Sequence, residues 1–187
     1  MIRNSFSGYI KFLFLFILIF FLCTACTIKR KCNPIEGVNI NPDSLPEVII
    51  KNPVTLINNQ GSNEEQLLFT VLMINDYYGS LYLWTEEAIK ILSRAIELKK
   101  GKVVKNSDKV IKVAVTQVNV YENKVWGLTG EVTVLYETGN NIRKELSQHQ
   151  VFSPVTDQKL DWVLDTAIEY TIMELLKDEE IINYLNN

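Results

Sequence analysis

Side chains that could do chemistry are few in this sequence and lie far apart. The single histidine, His149, lies in a stretch of alternating polarity in register with Arg143, Glu145 and Ser147. A nucleophile needs a general base beside it, and no serine–histidine–aspartate or cysteine–histidine set forms unless the fold brings distant residues together. We therefore predict that His149 is a solvated residue on the polar face of a strand.

Two further patterns could carry chemistry but have plainer explanations. Asp161 and Asp165 lie one helical turn apart, and a carboxylate pair catalyses acid–base chemistry only where burial or a neighbour shifts one pKa. The periodicity of their segment places both on its polar side, so we predict a solvated pair. Gly127 and Gly130 lie within a strand pattern, where glycines indicate close packing or a bulge. The sequence thus predicts no catalytic residue, metal ligand set or cofactor, and we expect that the protein is not an enzyme.

The stretch Asp76–Trp84 is the strongest candidate for a contact surface. It has four aromatic residues around a glycine, and aromatic rings with a polar tip are favoured at interfaces and at the level of lipid headgroups. The four aromatic residues are Tyr77, Tyr78, Tyr82 and Trp84. We predict an exposed loop that contacts a partner or lipid. The alternative is that Tyr77, Leu81 and Leu83 pack beneath the helix that follows.

The N-terminal segment holds most of the excess hydrophobicity. The chain has 187 residues and is 47% hydrophobic, and an unbroken run of large apolar residues covers Phe12–Leu22 after the basic residues Arg3 and Lys11. A basic region followed by such a run is typical of a secretory signal. The uncharged stretch continues to Ile28 and ends at Lys29–Lys31. Its length is also at the short limit for a membrane-spanning helix.

The sequence Leu22–Cys26 resembles the lipobox of bacterial lipoproteins. Thr24 and Ala25 match the small positions of that motif, whereas Cys23 replaces its usual branched aliphatic residue. The resemblance implies cleavage before Cys26, with diacylglycerol on its thiol and acyl chains such as palmitate. Two or more acyl chains anchor a protein stably to a membrane.

An uncleaved single-pass anchor is the alternative for this segment. The basic run Lys29–Lys31 favours it, since positive residues beside an apolar segment tend to stay cytoplasmic. Arg3 and Lys11 on the other side nearly balance that run. Thr27, which follows Cys26, is not an acidic retention signal of the enteric type. We therefore predict an outer-membrane lipoprotein that faces the periplasm, with the inner membrane as the alternative.

The rest of the chain is predicted to be a tether and one domain. We expect a signal peptide over residues 1–25, a lipidated N-terminus and flexible tether over 26–46, and a domain over 47–187. Proline, glycine and asparagine in the second range are typical of a linker. Cys32 would then be alone in the tether, without a partner for a disulfide within the mature chain. We expect it to be a bystander.

The periodicity of residues 47–187 predicts an α+β domain. Alternating or short apolar runs indicate strands, and apolar residues at helical spacing indicate two helices. The predicted strands are 47–50, 53–57, 66–74, 109–121, 125–137 and 142–152, and the predicted helices are 85–100, capped by Thr85, and one from about Asp157, followed by a short tail helix at 181–185. About four strands in a mainly antiparallel sheet, with both long helices on one face, would bury all the apolar stripes.

This layout is similar to that of small outer-membrane lipoproteins of Gram-negative bacteria, such as the lipopolysaccharide-assembly lipoprotein and the penicillin-binding-protein activators. The resemblance rests on the order of elements, and it implies a non-catalytic interaction or assembly module with an envelope protein as its partner. The net charge of −3 argues against nucleic-acid binding. An alternative function is a carrier of a small ligand or lipid, which would need an apolar cavity of roughly several hundred Å³ between sheet and helices.

Overall fold

The computed structural model describes residues 27–35, 40–71, 74–123, 127–152 and 160–187. The strands are β1 (Ile28–Lys31), β2 (Pro53–Asn58), β3 (Gln66–Val71), β4 (Asn75–Gly79), β5 (Lys102–Val103), β6 (Lys109–Asn123), β7 (Gly127–Thr138) and β8 (Arg143–Phe152). The helices are α1 (Leu81–Leu98), α2 (Leu160–Lys177) and α3 (Glu179–Asn186), with a 3₁₀ turn at Pro42–Ser44. The predicted α+β class is confirmed, with more strands than the predicted layout, and the predicted tail helix at 181–185 is α3.

The larger sheet has five strands in the order β5-β2-β6-β7-β8. The antiparallel meander of β6, β7 and β8 is confirmed, including the turn in which Asn141 takes a left-handed φ of 68°. Strand β2 is instead parallel to both β5 and β6. Parallel neighbours need a crossover connection, and α1 lies in the connection between β2 and β6. The predicted strand at 47–50 is wrong, because Ile50 joins the core there and donates its N–H to the Lys99 carbonyl, 3.0 Å away.

Helices α1 and α2 cover one face of this sheet, as predicted. Helix α1 packs on β2 and β6, and α2 packs on β7 and β8. Gly130 marks the close approach of α2, because a Cβ there would lie 3.0 Å from Val163 and 3.2 Å from Leu164. The opposite face carries the odd-numbered residues of β8, which are exposed.

Helix α1 begins four residues earlier than predicted, at Leu81. The predicted cap residue, Thr85, is fully buried inside the helix. Its hydroxyl accepts the N–H of Val115, 2.9 Å away, where β6 has an irregular register between Val115 and Gln117. A bulge frees a backbone N–H from the sheet, and a buried N–H needs an acceptor. Thr85 therefore satisfies a backbone N–H of β6 and does not cap the helix.

The smaller sheet has three strands in the order β1-β4-β3 and corrects two expectations. Composition predicts a flexible tether around Ile28–Lys31, but this segment pairs in parallel with β4. Cys32, Ile40 and Leu45, also in the predicted tether, are buried. Residues 75–79, predicted to begin an exposed loop, form the central strand of this sheet. Backbone pairing fixes both segments, and such pairing leaves little trace in side-chain periodicity.

Candidate functional site

The four aromatic residues of the predicted contact loop lie in β4 and α1. Trp84 is fully buried, and its indole N–H donates to the Cys32 carbonyl at 3.3 Å. Trp84 therefore cannot contact a partner in this fold, because it lies on the buried side of α1 and not in an exposed loop. Tyr77, Tyr78 and Tyr82 are half-buried, and Tyr77 stacks on Phe69 with ring centroids 4.9 Å apart. A contact role for these three tyrosines stays a prediction.

The prediction of a solvated pair at Asp161 and Asp165 is wrong. Asp165 is fully buried, and its Oδ2 accepts the backbone N–H of Ile35 at 2.9 Å, while its buried Oδ1 has no hydrogen-bond partner. Asp161 is half-buried and its Oδ1 accepts the Cys32 thiol, with the sulfur 3.6 Å away. The N-terminal segment passes over this side of α2 and covers what periodicity marks as a polar face.

Burial also sets the proton affinities in this cluster. Desolvation raises the pKa of Asp165 to about 7, against the lowering effect of the Ile35 N–H, and the charges of Glu87 and Asp161 raise it further. Desolvation and the neighbouring Asp161 raise the pKa of the Cys32 thiol far above its usual range. A thiol that stays protonated is a poor nucleophile. Cys32 is therefore a buried packing residue, which corrects its predicted place in a flexible tether.

The cluster offers little else to catalysis or to metals. Glu87 is buried close enough to Asp165 for its charge to act on that carboxyl. The Glu87 carboxylate accepts a hydrogen bond from the Lys90 ammonium, 3.0 Å away. Within the described residues, no three histidine, cysteine, aspartate or glutamate side chains are grouped so that they could hold a metal ion. The cluster can bind a proton at Asp165 and can hold residues 32–35 against α2.

His149 lies where the sequence predicts. It is exposed on the outer face of β8 with Arg143, Glu145 and Ser147, and it pairs across the sheet with Glu131. On the same face the Ser147 hydroxyl donates to the Glu131 carboxylate at 3.0 Å, and all three side chains lie at the surface of the sheet. The interpretation of His149 as a solvated residue is confirmed.

A cleft along β2 is the candidate binding site, and the sequence did not reveal it. Its volume is about 590 Å³, its mouth is wide, and most of its lining is apolar. The lining residues are Thr55, Leu56, Ile57, Asn58, Ile89, Ser93, Val103, Val104 and Lys105. The two-residue strand β5 was too short to predict, and only the Val103–Val104 pair after the helix stop at Gly101 hinted at it.

The cleft exists because β5 covers only the first part of the β2 edge. Strand β5 pairs with Pro53 and Val54, and the Val104 N–H donates to the Val54 carbonyl at 2.9 Å. Backbone groups of alternate residues point to the same side of a strand. The N–H and C=O of Leu56 therefore face the open side, towards the cleft. The exposed amines of Lys102 and Lys105 lie beside this edge.

The predicted lipidation site lies outside the described residues. Cys26 and the predicted signal peptide at 1–25 precede the first described residue, Thr27, and the predicted helix start at Asp157 also falls in a gap. In the described part of the chain, no helix has both the length and the apolar character needed to cross a bilayer.

Comparisons with known proteins give only remote structural likenesses. No protein-family model and no curated protein matches the chain. Among solved structures, the chain is similar to a minor lipoprotein from Acinetobacter baumannii, with 11% identity over 67% of this chain and 90% of that one and a TM-score of 0.43. It is also similar to a Xanthomonas campestris protein of the DUF330 family, with 11% identity over 80% of this chain and 92% of that one and a TM-score of 0.45. Both scores are below 0.5, so function has to be argued from the residues of this chain.

Proposed function

We propose that this protein is a lipid-anchored envelope protein whose domain is a non-catalytic binding module for an extended segment of a partner protein. The anchor is Cys26, on the resemblance of Leu22–Cys26 to a lipobox. The partner site is the cleft along β2. The observation that carries the proposal is an open strand edge beside an apolar cleft.

The chemistry of the cleft favours a peptide. The edge-facing N–H and C=O of Leu56 form one donor and acceptor pair, which the backbone of an added strand can complete. Ile89 of α1 and Val103 give apolar surface for alternate side chains of that strand. An open edge is also a place where unintended pairing begins, and the exposed Lys102 and Lys105 restrict which chains can approach it.

A carrier of a small apolar ligand is the second candidate, favoured by the cleft volume alone. About 590 Å³ lies within the usual range for ligand pockets. Such pockets bury most of their ligand, however, and this cleft has a wide mouth. Native mass spectrometry of protein extracted from membranes separates the two candidates, because a carrier retains a small bound molecule and a peptide-binding module does not.

A photo-crosslinking amino acid at Ile57 tests the partner site. Ile57 lines the cleft and is 42% exposed. We expect crosslinks to one envelope protein in intact cells, and loss of those crosslinks with Ser93→Trp, which fills the cleft. Arg94→Trp adds the same side chain at the exposed next position and should leave the crosslinks intact. Crosslinks that survive Ser93→Trp would contradict the assignment of this cleft.

Intact mass spectrometry tests the anchor. We expect a mass that lacks residues 1–25 and includes acyl chains, and an unprocessed form for Cys26→Ala. A full-length, unacylated mass would replace the lipoprotein proposal with the uncleaved anchor. Density separation of the two membranes then assigns the anchored protein to the outer or the inner one.

A further inference from the structure

We infer that the three-stranded sheet lies directly on the bilayer that carries the anchor and binds anionic lipid headgroups through β1. This inference rests on the proposed membrane attachment at the N-terminus. It concerns a different surface from the cleft along β2. It also replaces the predicted flexible tether with a short, fixed link.

The length of chain before β1 sets the first constraint. Only Thr27 separates Cys26 from Ile28, and the Ile28 N–H donates to the Ile74 carbonyl at 2.7 Å, so the fold holds the strand from its first residue. Two residue steps reach at most about 7 Å. Ile28 is therefore within about 7 Å of an acylated Cys26. The uncleaved anchor gives the same position, because the uncharged run ends at Ile28.

The surface at this corner matches a membrane interface. Ile28 is 49% exposed and its neighbour across the strand end, Ile74, is 43% exposed. The half-buried ring of Tyr78 lies on the same sheet, with the Lys29 amine 5.5 Å from its centroid. Exposed isoleucines can enter the interfacial region, and tyrosine rings are enriched there.

The charge of β1 favours an anionic surface. Lys29, Arg30 and Lys31 are all exposed, whereas the whole chain has a net charge of −3. Two acidic groups lie beside them, since Lys31 pairs with Glu65 at 2.8 Å and Asp76 lies opposite Lys29. Basic residues next to a membrane are attracted to anionic headgroups within about a Debye length. This attraction turns β1 towards the membrane and the acidic remainder away from it.

Depth-dependent quenching tests the inference on the full, acylated protein. A fluorophore is attached through Ile74→Cys, with the matched label at Val151→Cys, which is 54% exposed on β8 of the other sheet. The protein is placed in phosphatidylcholine vesicles with or without phosphatidylglycerol, and spin-labelled lipids serve as quenchers. We expect quenching about twofold or more stronger at residue 74 than at 151, increased by phosphatidylglycerol.

Two variants distinguish attraction of β1 to the headgroups from closeness that the short link to the anchor imposes. An insertion of about 15 glycine and serine residues between Thr27 and Ile28 lengthens the link without changing the patch. We expect residue 74 to remain quenched in phosphatidylglycerol vesicles. Adding Lys29→Gln, Arg30→Gln and Lys31→Gln should abolish that quenching, with the circular dichroism spectrum as the check on folding.

The outcomes also separate this inference from the proposed function. Protein that fails to float with vesicles contradicts the anchor itself. Protein that floats but has equal quenching at residues 74 and 151 overturns the inference and leaves the anchor intact. Quenching that disappears with the insertion alone also overturns it, because the patch then has no affinity for headgroups.

Discussion

The two sheets of this protein are held by different forces. The five-stranded sheet buries apolar stripes from α1 and α2, and residues such as Val134, Ile168 and Leu92 are fully buried between them. The three-stranded sheet adds fewer side chains to that core, chiefly Phe69 and Val71 of β3, and all four residues of β1 are exposed. Strand β1 is held by backbone pairing with β4, and the residues that follow it are held by polar links from Trp84 to Cys32 and from Asp165 to Ile35. Side-chain burial thus dominates in the five-stranded sheet, whereas β1 and the residues after it are held mainly by specific hydrogen bonds.

The largest expected effect is from Trp84→Ala, because Trp84 belongs to both regions. The substitution removes a large core side chain and the hydrogen bond to Cys32, and we expect a loss of about 3–5 kcal/mol in the free energy of unfolding. Trp84→Phe keeps most of the packing and loses the bond. We expect it to release residues 32–35 at a much smaller global cost. Urea titration measures both variants, and a loss for Trp84→Phe as large as that for Trp84→Ala would contradict the larger share given to packing.

Gly79→Ala should destabilise the pairing of β1 in the smaller sheet and leave the larger sheet intact. A Cβ at Gly79 would overlap the Cys32 carbonyl oxygen, which belongs to the backbone and cannot rotate away. We expect a loss of roughly 2 kcal/mol and faster amide exchange at Ile28 and Cys32, with β6 still protected. Gly61→Ala is the control, because nothing lies within 4 Å of that site. Unchanged exchange at Ile28 would contradict this account of how β1 is held.

Asp165 should make stability depend on pH. Its folded pKa of about 7 is above the ordinary value of 3.8, so the folded state keeps a proton that the unfolded chain releases. Stability is then highest below about pH 4 and falls as the pH rises towards 7. Asp165→Asn should reduce this slope and stabilise the protein by about 1–3 kcal/mol at pH 8.

A second group on α2 has to be separated from Asp165 in this experiment. Desolvation raises the pKa of Glu169 to about 7 as well, so it adds to the slope with the same sign. Glu169→Gln measured alone gives its share. Thermal unfolding from pH 4 to 8 would contradict the assignment if Asp165→Asn kept the full slope of the parent chain.

The smallest effect is expected at Lys144. Its amine contacts Asp178 at 3.0 Å and Glu180 at 2.7 Å, linking β8 to the start of α3 at the surface. Ion pairs at the surface contribute little, so Lys144→Ala should lower the free energy of unfolding only slightly. The cost should shrink with added salt. A salt-independent loss would indicate packing by the aliphatic part of the side chain instead.

The contrast between the sheets also explains what the sequence predicts well. The meander of β6–β8 and the buried stripes of α1 and α2 follow from periodicity, because each element carries its own pattern. The cleft along β2 does not follow from periodicity, since it depends on where the short strand β5 stops. The sequence also does not predict that Asp165 is buried, because its partner, Ile35, lies 130 residues away in the sequence. Contacts of that kind belong to no local pattern.

The parallel pairing of β1 with β4 has a consequence for the order of folding. Arg30 and Asn75, joined by a 3.0 Å hydrogen bond, are 45 residues apart, and β1 has no pairing partner in the described structure until β4 is available. If the chain crosses a membrane with its N-terminus first, the basic segment of β1 therefore stays exposed until β4 has also crossed. Closing a loop of that length is slow compared with local folding. Strand β1 is thus made before its partner β4 and cannot be among the earliest elements to fold.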